Sequence, residues 1–383
     1  MVKIALLGAT GSIGTSALDV IKEQRDHFSL ALASAHTDYP SLCRIALDLK
    51  VPLIVLTGIA DPQKQSSIRA EHPGLRILFG EEELLQALAG EDYDVALNAI
   101  SGSAGLRFGF AIARRGKKLA LANKESLVMA GHLLIPLLKE KGAQIVPVDS
   151  EHSAIFQAIG SHPRVEVRKV HITASGGAFR DLPLQDFEHV TLEQALRHPN
   201  WKMGAKVTLD SATMFNKALE VMEAHWLFGL PYDRIVAVLH PQSVIHSLVE
   251  FIDGSILAQL GVPDMKLPIL YALSHPRRLP SQLVRTNLLE LGDLNFAPLS
   301  PERYPLYYLG LEVAREGGIL PTVLNSANEA ALQLFQTGRI GFLNIHRICE
   351  QAVRDFPNIA SPGLDSIIET NREVYKMILN GYK

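Results

Sequence analysis

The chain has 383 residues, more than one hydrophobic core usually serves, so two or three domains are expected. Apolar residues at 47% and charged residues at 20% exclude a disordered, collagen-like or coiled-coil protein. Lys+Arg 37 against Asp+Glu 40 leaves a formal charge of −3, so no basic field exists to hold a nucleic-acid backbone. Cys43 and Cys349 lie far apart and match no metal-ligand spacing, which suggests a reducing, cytoplasmic setting without disulfides. No apolar run approaches the ~18 residues of a membrane span, and the N-terminus reads as a strand and loop rather than a signal peptide.

In chain order, apolar runs at 2–7, 29–33, 53–56, 75–79, 94–100, 118–122 and 144–148 read as strands separated by helical patterns. Short, continuously apolar strands alternating with helices predict a Rossmann-like α/β fold, a doubly wound parallel sheet, over 1–148. Ligands of such sheets sit beyond the carboxyl ends of the strands. From 149 to 275 strands at 170–173, 235–239, 244–251 and 255–260 mix with helices such as 211–228, predicting an α+β catalytic domain. Asp253-Gly254 marks a hairpin turn there. Residues 276–300 carry several prolines and little periodicity, as in a linker. Four helical patterns over 301–383, punctuated by Gly317-Gly318, Gly338 and Pro357, predict a terminal helical bundle.

Gly8-Ala9-Thr10-Gly11-Ser12-Ile13-Gly14 follows the first strand and opens the first helix. Glycines let the backbone approach a pyrophosphate, and the helix N-terminus offers N–H groups and a positive dipole end. The strand–loop–helix setting is that of a dinucleotide fingerprint, with G-x-x-G-x-x-G spacing. A nicotinamide dinucleotide is the expected ligand. The end of the second strand normally separates NADH from NADPH, but Ser34-Ala35-His36-Thr37-Asp38 contains neither Lys nor Arg, and its residue types alone do not choose between the two.

The seventh strand runs into Asp149-Ser150-Glu151-His152. Two carboxylates at i and i+2, joined by Glu220 from a later helix, are a donor set for Mg²⁺ or Mn²⁺; Asp and Ser there equally suit an ordinary helix cap. On a wheel of about 100° per residue, Asn216, Lys217 and Glu220 share one face, opposite Phe215, Leu219, Met222 and Trp226. With Ser211 they form a candidate phosphate clamp; the competing reading is a solvated face with a weak Lys–Glu pair. Ser175-Gly176-Gly177 could offer a hydroxyl and N–H groups to the same phosphate. His198-Pro199-Asn200-Trp201-Lys202-Met203-Gly204 lacks any period and reads as a lid, or as a static loop anchored by its Trp.

Together with Ala122-Asn123-Lys124-Glu125-Ser126-Leu127, His240-Pro241-Gln242-Ser243-Val244-Ile245-His246 and Pro263-Asp264-Met265, these stretches resemble the 1-deoxy-D-xylulose 5-phosphate reductoisomerase family, in the family's order and from end to end. The resemblance implies an NADPH- and metal-dependent enzyme of the non-mevalonate isoprenoid pathway, and a homodimer. It gives Mg²⁺ or Mn²⁺ (Co²⁺ as a further option) to Asp149, Glu151 and Glu220. It gives the substrate phosphate to Ser175, Ser211, Asn216 and Lys217, with His198 nearby. Ser150 and Lys124 would contact the sugar hydroxyls, and Trp201 would cover the substrate. The glycine loop (Gly8, Thr10, Gly11, Ser12, Ile13), His36, Asn123, Glu125 and Gly204 would contact the cofactor, with Met203 and Met265 flanking the nicotinamide. Many members carry Gly-Lys-Asn where this chain has His36-Thr37-Asp38, which removes an expected partner of the 2′-phosphate.

The chemistry so implied is a retro-aldol/aldol rearrangement of 1-deoxy-D-xylulose 5-phosphate followed by hydride transfer, giving 2-C-methyl-D-erythritol 4-phosphate. Glu151, Lys124 and a metal-bound water are the alternatives for proton transfer. Short-chain dehydrogenases need Tyr-x-x-x-Lys, which is absent here, and neither Cys lies where a semialdehyde dehydrogenase nucleophile would. A dinucleotide-sensing regulator would explain the glycine loop and leave the carboxylates, the Lys-bearing face and the Trp loop without purpose.

Overall fold

A computed structural model of the chain describes residues 1–201 and 203–382. It divides into two compact units, each assembled from separated stretches of sequence. One comprises Met1–Asn123, Leu134–Ser153 and Asp264–Val284; the other comprises Lys124–Leu133, Ala154–Pro263 and the chain from Arg285 onward.

The first unit holds strands β1 (Val2–Leu7), β2 (Phe28–Ala35), β3 (Ile54–Leu56), β4 (Ile77–Phe79), β5 (Val95–Asn98), β6 (Lys118–Leu121) and β7 (Ile145–Pro147). They pair in the order β4-β3-β2-β1-β5-β6-β7, every neighbour parallel. Ile4, Ala5, Leu6 and Leu7 are wholly buried, as a strand covered on both faces requires. The expected strands are all present, with ends displaced by a residue or two. β4 starts late because Leu75 N–H closes a turn on His72 O instead of joining the ladder. Helices α1 (Ser12–Glu23), α2 (Tyr39–Leu49), α3 (Pro62–Glu71), α4 (Glu81–Gly90) and α5 (Leu106–Arg114) connect these strands. β1 lies between β2 and β5, so the strand order reverses there and opens the crevice where such sheets take ligands.

The chain then passes through α6 (Glu125–Glu140), whose helical dihedrals fail at Ala130 (φ −138°, ψ 24°), and through α7 (Ser150–Ile159). In the second unit β8 (Val167–Ala174), β9 (Ile235–Leu239), β10 (Ile245–Phe251) and β11 (Ile256–Leu260) form a mixed sheet ordered β11-β10-β8-β9. β10 is antiparallel to both β8 and β11, while β8 and β9 are parallel. The Asp253-Gly254 turn closes the β10–β11 hairpin, with the Asp253 carboxylate accepting from Ser255 N–H at 2.8 Å.

Helices α8 (Leu192–Ala195), α9 (Ala205–Ala212) and α10 (Phe215–Phe228) follow β8. The single helix expected over 211–228 is two: Met214 adopts a left-handed conformation (φ 59°) that ends α9 and starts α10. Ser211 therefore closes one helix instead of opening the next, and Glu220 rides on a helix that begins at Phe215. Helix α11 (Lys266–Ser274) belongs to the first unit, where Lys266 Nζ lies 3.8 Å from Asp19 of α1. The terminal helices α12 (Pro305–Glu316), α13 (Leu320–Gln336), α14 (Phe342–Asp355) and α15 (Leu364–Gly381) form the expected bundle, with α13 buried along nearly its whole length.

Candidate active site

Three side chains on two elements of the second unit converge on Glu220. Its carboxylate is 1% exposed and accepts from Asn216 Nδ2 at 2.5 Å and Lys124 Nζ at 3.3 Å through Oε1, and from Lys217 Nζ at 2.5 Å through Oε2. Lys124 Nζ also donates to Asn216 Oδ1 at 3.0 Å. The helical pitch of α10 puts Asn216, Lys217 and Glu220 on one face, as their spacing predicts, and Lys124 enters from the residue just before α6. Side-chain exposures of 10% for Lys124 and 5% for Lys217 exclude the solvated-face reading. Burying two ammonium groups beside one carboxylate is expensive unless each is held by partners, and it leaves a basic setting suited to a phosphate.

Ser175 lies in the loop after β8, which packs on the end of α9. Gly177 has φ +71°, and a Cβ there would lie 2.3 Å from Ser211 O, so only glycine lets this loop close onto the end of α9. His198 Nδ1 accepts backbone N–H bonds from Asn200 (3.1 Å) and Trp201 (2.9 Å), which puts the ring proton on Nε2. Nε2 then donates to Ser175 Oγ at 2.9 Å, and Gly177 N–H donates to the same oxygen at 3.2 Å. With both lone pairs engaged, the Ser175 hydroxyl is left to act as a donor. That is the role a phosphate oxygen needs.

The loop carrying Trp201 is tied at its base. Asn200 Nδ2 donates to Pro241 O at 2.6 Å and Ser243 Oγ at 2.8 Å, and the Trp201 ring lies 6.0 Å from that of His246. Trp201 and Met203 are half-buried and Gly204 is exposed; Lys202 lies outside the described residues. Residue spacing gives little sign of a buried network behind this loop. Lys206 Nζ, in the first turn of α9, donates to Glu125 Oε1 at 2.6 Å and Asp210 Oδ2 at 2.9 Å, and Asn328 Nδ2 of α13 donates to Asp210 Oδ1 at 2.7 Å. Burial alone would push the Lys206 pKa down, but the Asp210 and Glu125 charges hold it well above its ordinary value. Burial would raise Glu125; the Lys206 charge and hydrogen bond outweigh it and keep that carboxyl below the usual range. The i, i+4 spacing of Lys206 and Asp210 is the one signal of it that the sequence carries.

In the first unit the glycine loop and α1 are closely packed. A Cβ at Gly14 would lie 2.2 Å from Gly8 O, so the third glycine lets α1 pack directly on the loop. Gly11 and Ser12 are exposed, Gly8, Thr10 and Ile13 half-buried. Asn123 spends its amide on Ile100 O (2.8 Å) and Gly102 O (2.6 Å), fixing the loop after β5. Asp149 and Glu151 are half-buried at the end of β7 and the start of α7, and buried Ser150 donates from Oγ to Glu151 Oε2 at 2.5 Å. Met265 is half-buried at the start of α11, and His36 is exposed just past β2.

Family models match most of the chain: 1-deoxy-D-xylulose 5-phosphate reductoisomerase over 4–131, its C-terminal domain over 145–228, and the DXP reductoisomerase C-terminal domain over 260–377. The 1-deoxy-D-xylulose 5-phosphate reductoisomerase of Geobacillus kaustophilus is 47% identical over 372 residues, 97% of each chain. That of Halalkalibacterium halodurans is 46% identical over 371 residues, again 97% of each chain. Among solved structures, a DOX-P reductoisomerase in complex with NADPH, fosmidomycin and magnesium superposes with a TM-score of 0.93 at 36% identity, covering 99% of this chain and 98% of that one. The Zymomonas mobilis enzyme in complex with NADPH gives 0.91 at 38% identity, covering 100% and 99%. Relatedness at this level along the whole length makes this chain a member of the 1-deoxy-D-xylulose 5-phosphate reductoisomerase family.

Proposed function

We propose that this chain converts 1-deoxy-D-xylulose 5-phosphate to 2-C-methyl-D-erythritol 4-phosphate, using NADPH and a divalent cation, in non-mevalonate isoprenoid synthesis. The observations that carry the reading are the buried Lys124–Asn216–Lys217–Glu220 cluster and, on the loop after β8, the donor-oriented Ser175. They supply what a sugar phosphate needs and what a dinucleotide sensor does not. Lys217, Asn216, Ser175 and Ser211 hold the phosphate, and His198 keeps the Ser175 proton pointing outward. Remote binding energy of this kind fixes the reacting end of the substrate. Lys124 and Ser150 contact the sugar hydroxyls, and Trp201 covers the substrate against water.

Three carboxylates, Asp149, Glu151 and Glu220, are an oxygen donor set of the type Mg²⁺ and Mn²⁺ take, and they would hold the ion. When bound, the ion supplies Lewis-acid stabilisation of developing oxygen charge and the reduced nicotinamide supplies the hydride. The loop Gly8–Gly14 cradles the pyrophosphate with His36 close by. Asn123, whose amide is committed to its own loop, and Glu125, whose carboxylate is committed to Lys206, would meet the cofactor through their backbone; Met203, Gly204 and Met265 line the nicotinamide. In this reading residues 1–148 bind cofactor, 149–275 carry the chemistry, 276–300 link and 301–383 support.

We also propose a homodimer in the cytoplasm. Ile256, Leu257 and Leu260 on edge strand β11 are 54%, 45% and 37% exposed, an apolar edge that a second copy would cover. Both cysteines are free and buried, and among the described residues no helix is long and apolar enough to cross a membrane. Loss of NADPH absorbance with deoxyxylulose phosphate and Mg²⁺ or Mn²⁺ tests the activity. Oxidation that requires both substrate and metal is expected; oxidation indifferent to either, or none, overturns the reading.

A further inference from the structure

β2 ends at Ala35, and its last residues carry the glycine loop. Ser34 Oγ accepts from Gly8 N–H at 3.3 Å, and Ser34 O accepts from Ala9 N–H at 2.8 Å. His36 is thus built into the edge that holds the loop, and it is exposed. Its ring lies face-on over Gly58: a Cβ there would come within 2.5 Å of Cε1 and 2.6 Å of both Nδ1 and Nε2. Nδ1 sits 3.1 Å from Thr57 Oγ1, and Gly58 N–H donates to His36 O at 2.8 Å. One face of the ring is covered by Gly58 and Nδ1 is engaged by Thr57, which leaves Nε2 as the ring nitrogen for a ligand. It carries a proton in the imidazolium and in the tautomer whose Nδ1 accepts from Thr57.

The neighbouring acids are engaged through one oxygen each as helix caps. Asp38 Oδ1 accepts from Ser41 N–H at 3.2 Å and caps α2, and Asp61 Oδ1 caps α3 by accepting from Gln63 N–H at 2.9 Å. No Lys or Arg lies between Ser34 and Asp38. A further cation, Lys64, has its Nζ 5.8 Å from the centre of the Tyr39 ring. An acid at the end of this strand would hold a ribose diol, and a basic group there accepts a 2′-phosphate.

We propose that His36, oriented by Thr57 and seated on Gly58, recognises the 2′-phosphate of NADPH through Nε2–H and sets the preference for NADPH over NADH. The proposal rests on the reading that the glycine loop binds a nicotinamide dinucleotide. Calorimetric titration of the full chain with NADPH and with NADH, in wild type, His36→Ala, Thr57→Val and Lys64→Ala, tests it without turnover. Wild type is expected to prefer NADPH. His36→Ala should weaken NADPH by about tenfold or more while leaving NADH within about twofold, the loss of one charge-assisted donor. Thr57→Val should lose part of the same preference and Lys64→Ala none of it. Retained NADH binding shows that the variants are folded. An unchanged NADPH:NADH ratio in His36→Ala, equal wild-type affinities, or a ratio that collapses only in Lys64→Ala overturns the proposal and leaves the dinucleotide reading intact. Failure of both nucleotides to bind wild type overturns that reading, and the proposal with it.

Discussion

A carboxylate that is 1% exposed needs donors in place of water, and both oxygens of Glu220 accept from lysines or an amide. Glu220→Gln preserves the shape of the side chain and removes the charge. In our reading it also removes a ligand of the divalent ion. Metal-dependent kcat/KM should fall by about a hundredfold or more, with NADPH affinity within about twofold of wild type. Wild-type turnover by this variant would refute the three-carboxylate site. His198 and Ser175 act as one unit through their 2.9 Å bond. His198→Ala and Ser175→Ala should each raise the substrate KM, and the double variant should cost less than the two combined. Strict additivity would show that His198 does not orient the hydroxyl. The residues of this cluster were legible because short motifs and one helical face carry them. The ring tautomer and the Glu125–Lys206 pair were not, since each depends on a neighbour that only folding supplies, 81 residues away in the second case.

Among the elements, α9 has the Trp201 loop before it and Ser211 at its end. Its placement depends on Lys206, bound to Glu125 of α6 and Asp210, and on Asn328 of α13 holding Asp210. Lys206→Met leaves two buried carboxylates without their cation and should destabilise folding by about 3–5 kcal/mol in denaturant titrations. Linkage gives the pH dependence its sign. The Glu125 pKa is lowered on folding, so its contribution is present above the unfolded value of 4.5 and is lost as pH falls through the folded value. Lys206 is shifted upward from 10.5, so its contribution holds throughout the neutral range and disappears only in strong alkali. Wild-type stability should therefore fall below pH 4.5, and the Lys206→Met variant should fall less steeply there. A parallel decline in both would show that other carboxylates control acid unfolding. Trp201→Ala, in the loop before α9, should raise the substrate KM or lower kcat with the melting temperature little changed. A large drop in melting temperature would make Trp201 a buried anchor. Periodicity revealed helix in this region and missed the break, because Met214 takes its left-handed turn with no glycine or asparagine to announce it.

At the scale of the whole chain, the parallel sheet was legible because strands buried on both faces read as short apolar runs, and the bundle because helical spacing is interrupted by glycines. Local patterns do not say which separated segments combine, as α11 does with α1. Nor do they say which sheet edge is left uncovered. Successive strand residues point to opposite faces, so Ile256 and Leu260 project from one face of β11 and Leu257 from the other. All three are exposed, as is Ile252 in the preceding turn at 65%. An edge apolar on both faces invites pairing, and natural edges that stay single are guarded by charge, proline or a bulge. β11 carries no charged residue or proline. A second copy sharing this edge would bury the same patch from both partners, as two-fold symmetry requires. Leu257→Lys places a charge in it and should convert the proposed dimer to monomer in sedimentation experiments, with the melting temperature changing mainly through lost association. A wild-type chain that is monomeric at micromolar concentration, or a dimer untouched by Leu257→Lys, would place the partner elsewhere.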